Sequence, residues 1–500
     1  MATQARGDVK IVFDRFRRFL LLLIFERKEF AMGSLSLKMI YTFLLLFLLI
    51  LSCPFFTSVS FGETALWSLN QCVQKSIAND PEIKKLKGKI DLGDIKTREA
   101  IQRFFPLLNL ELSYAPLLDF FGNLITDENI FRSGISIQQP IYRGGGLVTT
   151  YKLTKSEALQ NLYQYQLKAQ EAAYNTAKEF YHTLSAREAL RLNQELHLKS
   201  ERLLSIARQA YGMGLATKVD FLEAEKNFYD TKYKILKAEQ EYQLALMNLK
   251  KVMGVDPGED LAPWEEGPIK PVGQPLEGLV EEGSRRVDIR YNEENVNFTK
   301  LKVKLNKSKE LPTVSLFGGY DYTGPHVPGD RRGWNVGIQC SISLFNSTLS
   351  ASRERDYLYE NPFAVIRQDD RFNVTKGKLS LNDGSSSAIG LEEARIEKRF
   401  AEDKLSQSKR EAALEVKEAY FKLKQTESLI ETGAKAVEAA EEKYRVISFR
   451  HGLREATYKD LIEAQVDLTE AKVNQARTIF DRSVALAGLY KAIGKDVQWD

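Results

Sequence analysis

The second half of the chain repeats the first. Shifted by 206 positions, Ile83 falls on Ile289, Pro106 on Pro312, Leu108 on Val314 and Leu110 on Leu316. At 203, GISIQQPIY (134–142) falls on GIQCSISLF (337–345), and at 239, KEFYHTL (178–184) falls on KEAYFKL (417–423). At 240, Leu249, Lys251, Gly254 and Asp256 meet Leu489, Lys491, Gly494 and Asp496. Self-similarity at a fixed spacing marks duplicated structural units, here about 200 residues each. The growth in offset from 203 to 239 places a net insertion between Phe345 and Lys417, and the polar stretch 350–388, with NDGSSS at 382–387, is its expected site. The expected organisation is a leader at 1–62, a first repeat at 63–262, a linker at 263–275, and a second repeat at 276–500 with an insert at about 350–388.

The leader reads as an export signal. Residues 39–61 carry no charge, Lys38 precedes them, and Ser60-Phe61-Gly62 offers small residues for a cut after Gly62. A permanent anchor is the competing reading, since about 20 apolar residues span a bilayer. Translation from Met32 or Met39 would leave residues 1–31 untranslated. Ile50-Leu51-Ser52-Cys53 loosely resembles a lipoprotein box, although Leu51 fits poorly and Pro54 follows. Charge supports the division: 1–62 hold eight Lys/Arg and four Asp/Glu, whereas the remainder holds 63 of each. A neutral body removes the electrostatic case for nucleic acid.

Each repeat predicts the order helix, two strands, long helix, turn, helix. Strict alternation marks the strands. Leu108, Leu110, Leu112 and Tyr114 share one side against Asn109, Glu111 and Ser113; Ile135 and Ile137 alternate with Ser136 and Gln138. Val314, Leu316, Tyr320 and Tyr322 share a side, and Trp334, Val336, Ile338, Cys340, Ile342 and Leu344 alternate with polar or small residues. One wet face suits a sandwich, but it also suits membrane-barrel strands of about 9–11 residues, with interfacial aromatics near their ends. Residues 152–211 and 390–450 contain no proline, and 60 helical residues reach about 90 Å. Val416, Leu423, Ile430, Val437 and Tyr444 recur every seven residues, which is coiled-coil spacing. Four strands cannot close a barrel, since the smallest use about eight, and an open edge in lipid leaves backbone groups unpaired. Three copies would supply twelve.

These features together resemble the TolC family of outer-membrane efflux proteins. The duplicated helix–strand–strand–helix units, the QQPIYRGGG junction at 138–146 and the paired turns TKVDFLEAE (217–225) and TYKDLIEAQ (457–465) carry the likeness, over roughly 64–500 apart from the insert. The resemblance implies a mainly α fold with β: duplicated coiled-coil hairpins and four amphipathic strands per chain. A homotrimer would form a 12-stranded membrane β-barrel joined to a periplasmic α-helical barrel. It implies conduction without bond chemistry, and partners in outer-membrane lipid, a periplasmic adaptor (membrane fusion protein) and an inner-membrane pump.

The turns are expected to be hairpin tips. Gly214 and Gly452 suit a left-handed helix end, while Thr217 and Thr457 cap the following helix with Asp answering back. By resemblance, Asp460 and Glu463 ring the periplasmic aperture, and Asp220 latches it. The family's basic latch residue is replaced here by Ala456, leaving Arg454 or Arg450 as substitutes. The insert is expected to decorate the junction of barrel and tunnel on the periplasmic side.

No enzyme, cofactor or metal site is expected. Gly144-Gly145-Gly146 lacks the Gly-Lys-Ser/Thr ending of a phosphate loop and reads as a turn. His182, His197, His326 and His451 are scattered, and Cys53, Cys72 and Cys340 make neither a metal spacing nor a disulfide framework. The rival reading is a periplasmic adaptor or coiled-coil scaffold anchored through 39–61.

Overall fold

The computed structural model describes residues 66–115, 130–264, 275–324, 331–344, 347–358, 370–381, 388–453 and 455–495. The leader with Cys53, most of the expected linker, His326 and Arg454 lie outside them. The first repeat runs β1 (Leu66–Trp67), α1 (Leu69–Asn79), α2 (Pro81–Gln102), β2 (Leu107–Ala115), β3 (Ile130–Arg143), α3 (Gly146–Gly212), α4 (Lys218–Met253) and β4 (Ala262–Pro263). The second runs α5 (Leu276–Gly283), α6 (Val287–Ser308), β5 (Thr313–Gly324), β6 (Arg331–Leu344), β7 (Ser347–Leu358), β8 (Asp370–Ser380), α7 (Ala388–Gly452) and α8 (Tyr458–Ile493). No described helix is long and apolar enough to cross a membrane.

Two helices set the scale. With 67 residues, α3 extends about 100 Å at 1.5 Å per residue, and α7 with 65 nearly matches it. Each is too long for one partner, so α2, α1 and α4 line successive stretches of α3, while α6, α5 and α8 line α7. The heptad positions on α7 turn inward: Val416, Leu423 and Val437 are buried, Ile430 and Tyr444 partly so. The main core is a belt where the helices converge. Phe180, Tyr181 and Leu184 of α3 meet Cys72 of α1, Leu249 and Met253 of α4, Leu279 of α5, Val416 of α7 and Leu486 and Leu489 of α8. Each fully buried large side chain contributes about 1.5–3 kcal/mol. Burial also pushes the Cys72 thiol up to about 12, so it is inert. Matched ends border the belt: α4 and α8 stop at the left-handed glycines Gly254 (φ +61°) and Gly494 (φ +73°).

The glycine triplet makes the turn from β3 into α3. Gly144 and Gly145 have φ of +57° and +77°, and a Cβ on Gly144 would lie 2.4 Å from the Ser308 carbonyl oxygen. Only glycine fits this approach.

The four expected strands form one antiparallel sheet with two more, in the order β2-β3-β5-β6-β7-β8. The two additions come from the insert. At the 203 offset the glycine turn has no counterpart: β7 lies beside β6, and Leu344 pairs with Ser347. The insert therefore corrects the expected junction decoration. It runs back along β6 from Ser347 to Leu358 before β8 returns.

Register fixes the two sides of this sheet. Leu108 lies opposite Ile137 and Leu110 opposite Ile135; Ile135 faces Tyr320, which faces Trp334; Leu316 faces Ile338. Directly opposite residues share a side, so the apolar series of all four expected strands is continuous. It is also bare: Leu108, Leu110 and Leu112 are 60%, 74% and 77% exposed. The polar side pairs internally, through Asn109 to Ser136 (3.4 Å), Thr313 with Ser341 (2.7 Å) and Arg132 with Asp321 (4.0 Å). On β6, Val336, Ile338 and Cys340 are exposed together with Arg332 near the strand's start, whereas Asn335 and Gln339 are half-buried. This is the reverse of a sheet packed in water, which would cover its apolar side.

Candidate functional site: the hairpin tips and the bare sheet

At the first tip, α3 ends in a left-handed Gly214 (φ +73°), and the Leu215 amide reaches back to the Ala210 carbonyl at 2.8 Å. This six-residue closure is a Schellman turn. The Thr217 hydroxyl accepts from the Asp220 amide (3.1 Å), while the Asp220 carboxylate accepts from the Thr217 amide (3.0 Å) and hydroxyl (2.7 Å). The second tip repeats this box: the Thr457 hydroxyl accepts from the Asp460 amide (3.2 Å), and Asp460 accepts from the Thr457 amide (3.0 Å) and hydroxyl (2.8 Å). Two orphan amides at each helix start are thereby satisfied. Downstream, Ala224 and Ala464 are fully buried where the helices close on one another. The nine repeated residues are a helix start: cap, answering acid, and a small residue for close packing.

The glycines do not correspond as expected. Gly452 is the last residue of α7 and lacks the left-handed conformation; its 240-offset counterpart is Gly212, the last residue of α3. Glu455 makes the closing bond to the Arg450 carbonyl at 2.8 Å, as Leu215 does to Ala210, so the two tips align at an offset of 240. Counting from glycine rather than from Thr457 gives the wrong partner.

Asp460 and Glu463 are both exposed on the first turns of α8, and Lys459 lies 3.8 Å from Glu463. Bonds from the Thr457 amide and then its hydroxyl hold the Asp460 carboxyl below the usual range. Arg450 turns to Glu455 of its own hairpin at 3.8 Å and does not pair with Asp220. Asp220 has no ion pair with any described basic residue. Tyr458 at the second tip was overlooked by sequence reasoning. Burial and then the Asp220 charge raise its hydroxyl above the usual phenol range, and its ring meets His451 edge-on at 4.7 Å. Spacing from glycine and the capping motif carried no sign of this contact.

His197 is packed between α3 and α4, its Nδ1 2.9 Å from the Thr231 hydroxyl. Among the described residues no His, Cys, Asp and Glu cluster could hold a metal.

The family model described as Outer membrane efflux protein matches residues 72–255. Outer membrane protein TolC of Vibrio cholerae serotype O1 is 19% identical over 67% of this chain and 80% of its own length. Among solved structures, the Campylobacter jejuni CmeC outer membrane channel superposes with a TM-score of 0.67 at 15% identity, covering 85% of each chain. The outer membrane protein VceC from Vibrio cholerae gives 0.66 at 14% identity, over 86% of this chain and 97% of that one. Residues 72–255 therefore match the outer membrane efflux protein family, and the chain shares the fold of these outer membrane channels. The family that this stretch matches is one of outer membrane channels, and a bare apolar side of this kind is what a membrane barrel strand carries.

Proposed function

We propose that this protein is the outer-membrane exit duct of a tripartite efflux pump or type I secretion system. Three copies pass substrate outward from an inner-membrane pump and periplasmic adaptor, by conduction and without catalysis. The observation that carries this reading is the sheet with its apolar side outward at one end of helices about 100 Å long. A scaffold or adaptor has no use for a lipid-facing sheet.

Two further features support assembly. On α4, Tyr229, Tyr233, Leu236, Leu244 and Met247 are exposed at helical spacing, and on α7 so are Phe400, Phe421 and Phe449. Bare aromatic stripes on long helices are surfaces for like helices. The tips would then form the periplasmic mouth, with Asp460 and Glu463 as stacked acidic rings. Because Asp460 also caps α8, the test must remove charge and keep the acceptor: Asp460→Asn with Glu463→Gln. In reconstituted bilayers this pair is expected to weaken block by multivalent cations and raise conductance. Unchanged block and conductance would rule out the rings. Absence of a trimer-sized band from outer membranes on an unheated gel would overturn the duct itself.

A further inference from the structure

The apolar side of the sheet stops where the insert begins. Across β6, Val336 and Ile338 lie opposite Arg355 and Arg353 of β7, and these lie opposite Asn373 and Thr375 of β8. The arginines are exposed on the side that carries Leu110, Ile135 and Leu316, and the Arg355 Nε donates to the Asn373 side-chain oxygen at 3.2 Å. Yet β7 covers the outer edge of β6 along twelve residue pairs. At the opposite end of the sheet, β2 has a free edge, with Leu108, Leu110 and Leu112 bare beside it.

In the trimer of the exit-duct reading, β2 of a second copy takes the outer edge of β6; we infer that the β7–β8 hairpin is a guard that leaves this edge on assembly. The inference rests on the barrel-channel reading above. A sheet closed through β8 instead would set Arg353 and Arg355 at mid-strand against lipid, where cations are disfavoured. Closure through β6 joins Leu110-type residues to Ile338-type residues and keeps the lipid side apolar. The incoming β2, nine residues long, re-pairs most of the twelve positions freed from β7. Before assembly the exposed edge of the sheet belongs to β8, which carries Lys376 and Lys378; charged edges resist sheet-to-sheet aggregation. The guard thus protects β6 until a β2 strand of the right character arrives. Lys376 also pairs with the buried Glu354, holding the two guard strands together as a unit.

The molecule supplies its own probe. Cys340 on β6 lies directly opposite Ala351 on β7, and opposite residues of antiparallel strands have Cα atoms about 4.5–5.5 Å apart, within disulfide reach. In the full chain, Ala351→Cys oxidised with copper–phenanthroline locks the guard in place. Trimer in outer membranes is expected to fall by about tenfold or more against the reduced variant, and reductant should restore it. Locked protein that trimerises as well as wild type would overturn the inference; wild type that forms no trimer would instead overturn the channel reading. A second measurement does not need the lock. Leu108→Cys, Leu110→Cys and Leu112→Cys are each expected to crosslink between copies to Cys340 through a short bismaleimide. The same β2 cysteines crosslinking instead to Gly377→Cys on β8, with Cys340→Ser, would show that the guard stays in the barrel.

Discussion

Thr217 and Thr457 perform one local task, and the smallest changes should reveal it. Thr217→Ala removes the cap of α4 and is expected to cost about 1 kcal/mol, seen as faster amide exchange in the first turn, while Thr217→Ser should retain most protection. Asp460 adds a pH dependence. Its native pKa is lowered by Thr457, so its contribution is present above the unfolded carboxylate value of about 3.9 and lost as pH falls through the lower native value. Exchange in the first turn of α8 should therefore accelerate on acidification, and Asp460→Asn should flatten that response. An unchanged acid profile in Asp460→Asn would remove the carboxylate from the cap. This much was legible because a capping box is a short-range motif. The glycine register was not, since Gly452 and Gly214 look alike in sequence and differ in backbone φ and in which carbonyl the following amide reaches.

Elements test the sheet and its junction. Gly144→Ala combines a left-handed φ with a Cβ 2.4 Å from a carbonyl oxygen, and should sharply reduce folded protein in the outer membrane. Gly212→Ala has an ordinary helical φ and open space around it, and should be neutral or slightly stabilising in a thermal melt. On β6, Ile338→Arg should cost about 2–4 kcal/mol at mid-depth and impair assembly, whereas Gln339→Arg should assemble and alter ion selectivity. Equal tolerance at both positions would contradict a lipid-facing side. The four strands of the repeats were readable from alternation, because one side of each is apolar. The two insert strands were not. Ser347-Thr348-Leu349-Ser350-Ala351-Ser352-Arg353 has polar residues on both sides, so no period of two stands out. Pairing with β6 rather than burial makes that segment a strand.

For the whole molecule, the duplication and the long helices were visible in sequence, while the contacts between repeats were not. The association of repeats is carried by residues such as Phe180 and Leu486, whose spacing only says that each lies on a buried side. Tyr233 lies outside that core and is 70% exposed. Tyr233→Glu should accordingly lower the trimer fraction on sizing while leaving helical circular dichroism unchanged. A normal trimer would place the α4 stripe outside the interface. One remaining feature concerns time rather than space. Leu66-Trp67 pairs in parallel with Ala262-Pro263, and Ser76 and Asn79 bond carbonyls 176 and 174 residues later. On the exit-duct reading, a chain threaded into the periplasm from its N-terminus delivers residues 66–79 long before their partners arrive. The start of the first repeat must wait, unpaired, until nearly the whole repeat has crossed, and contacts this distant in sequence form slowly. That interval is when a periplasmic chaperone or protease would find the chain open.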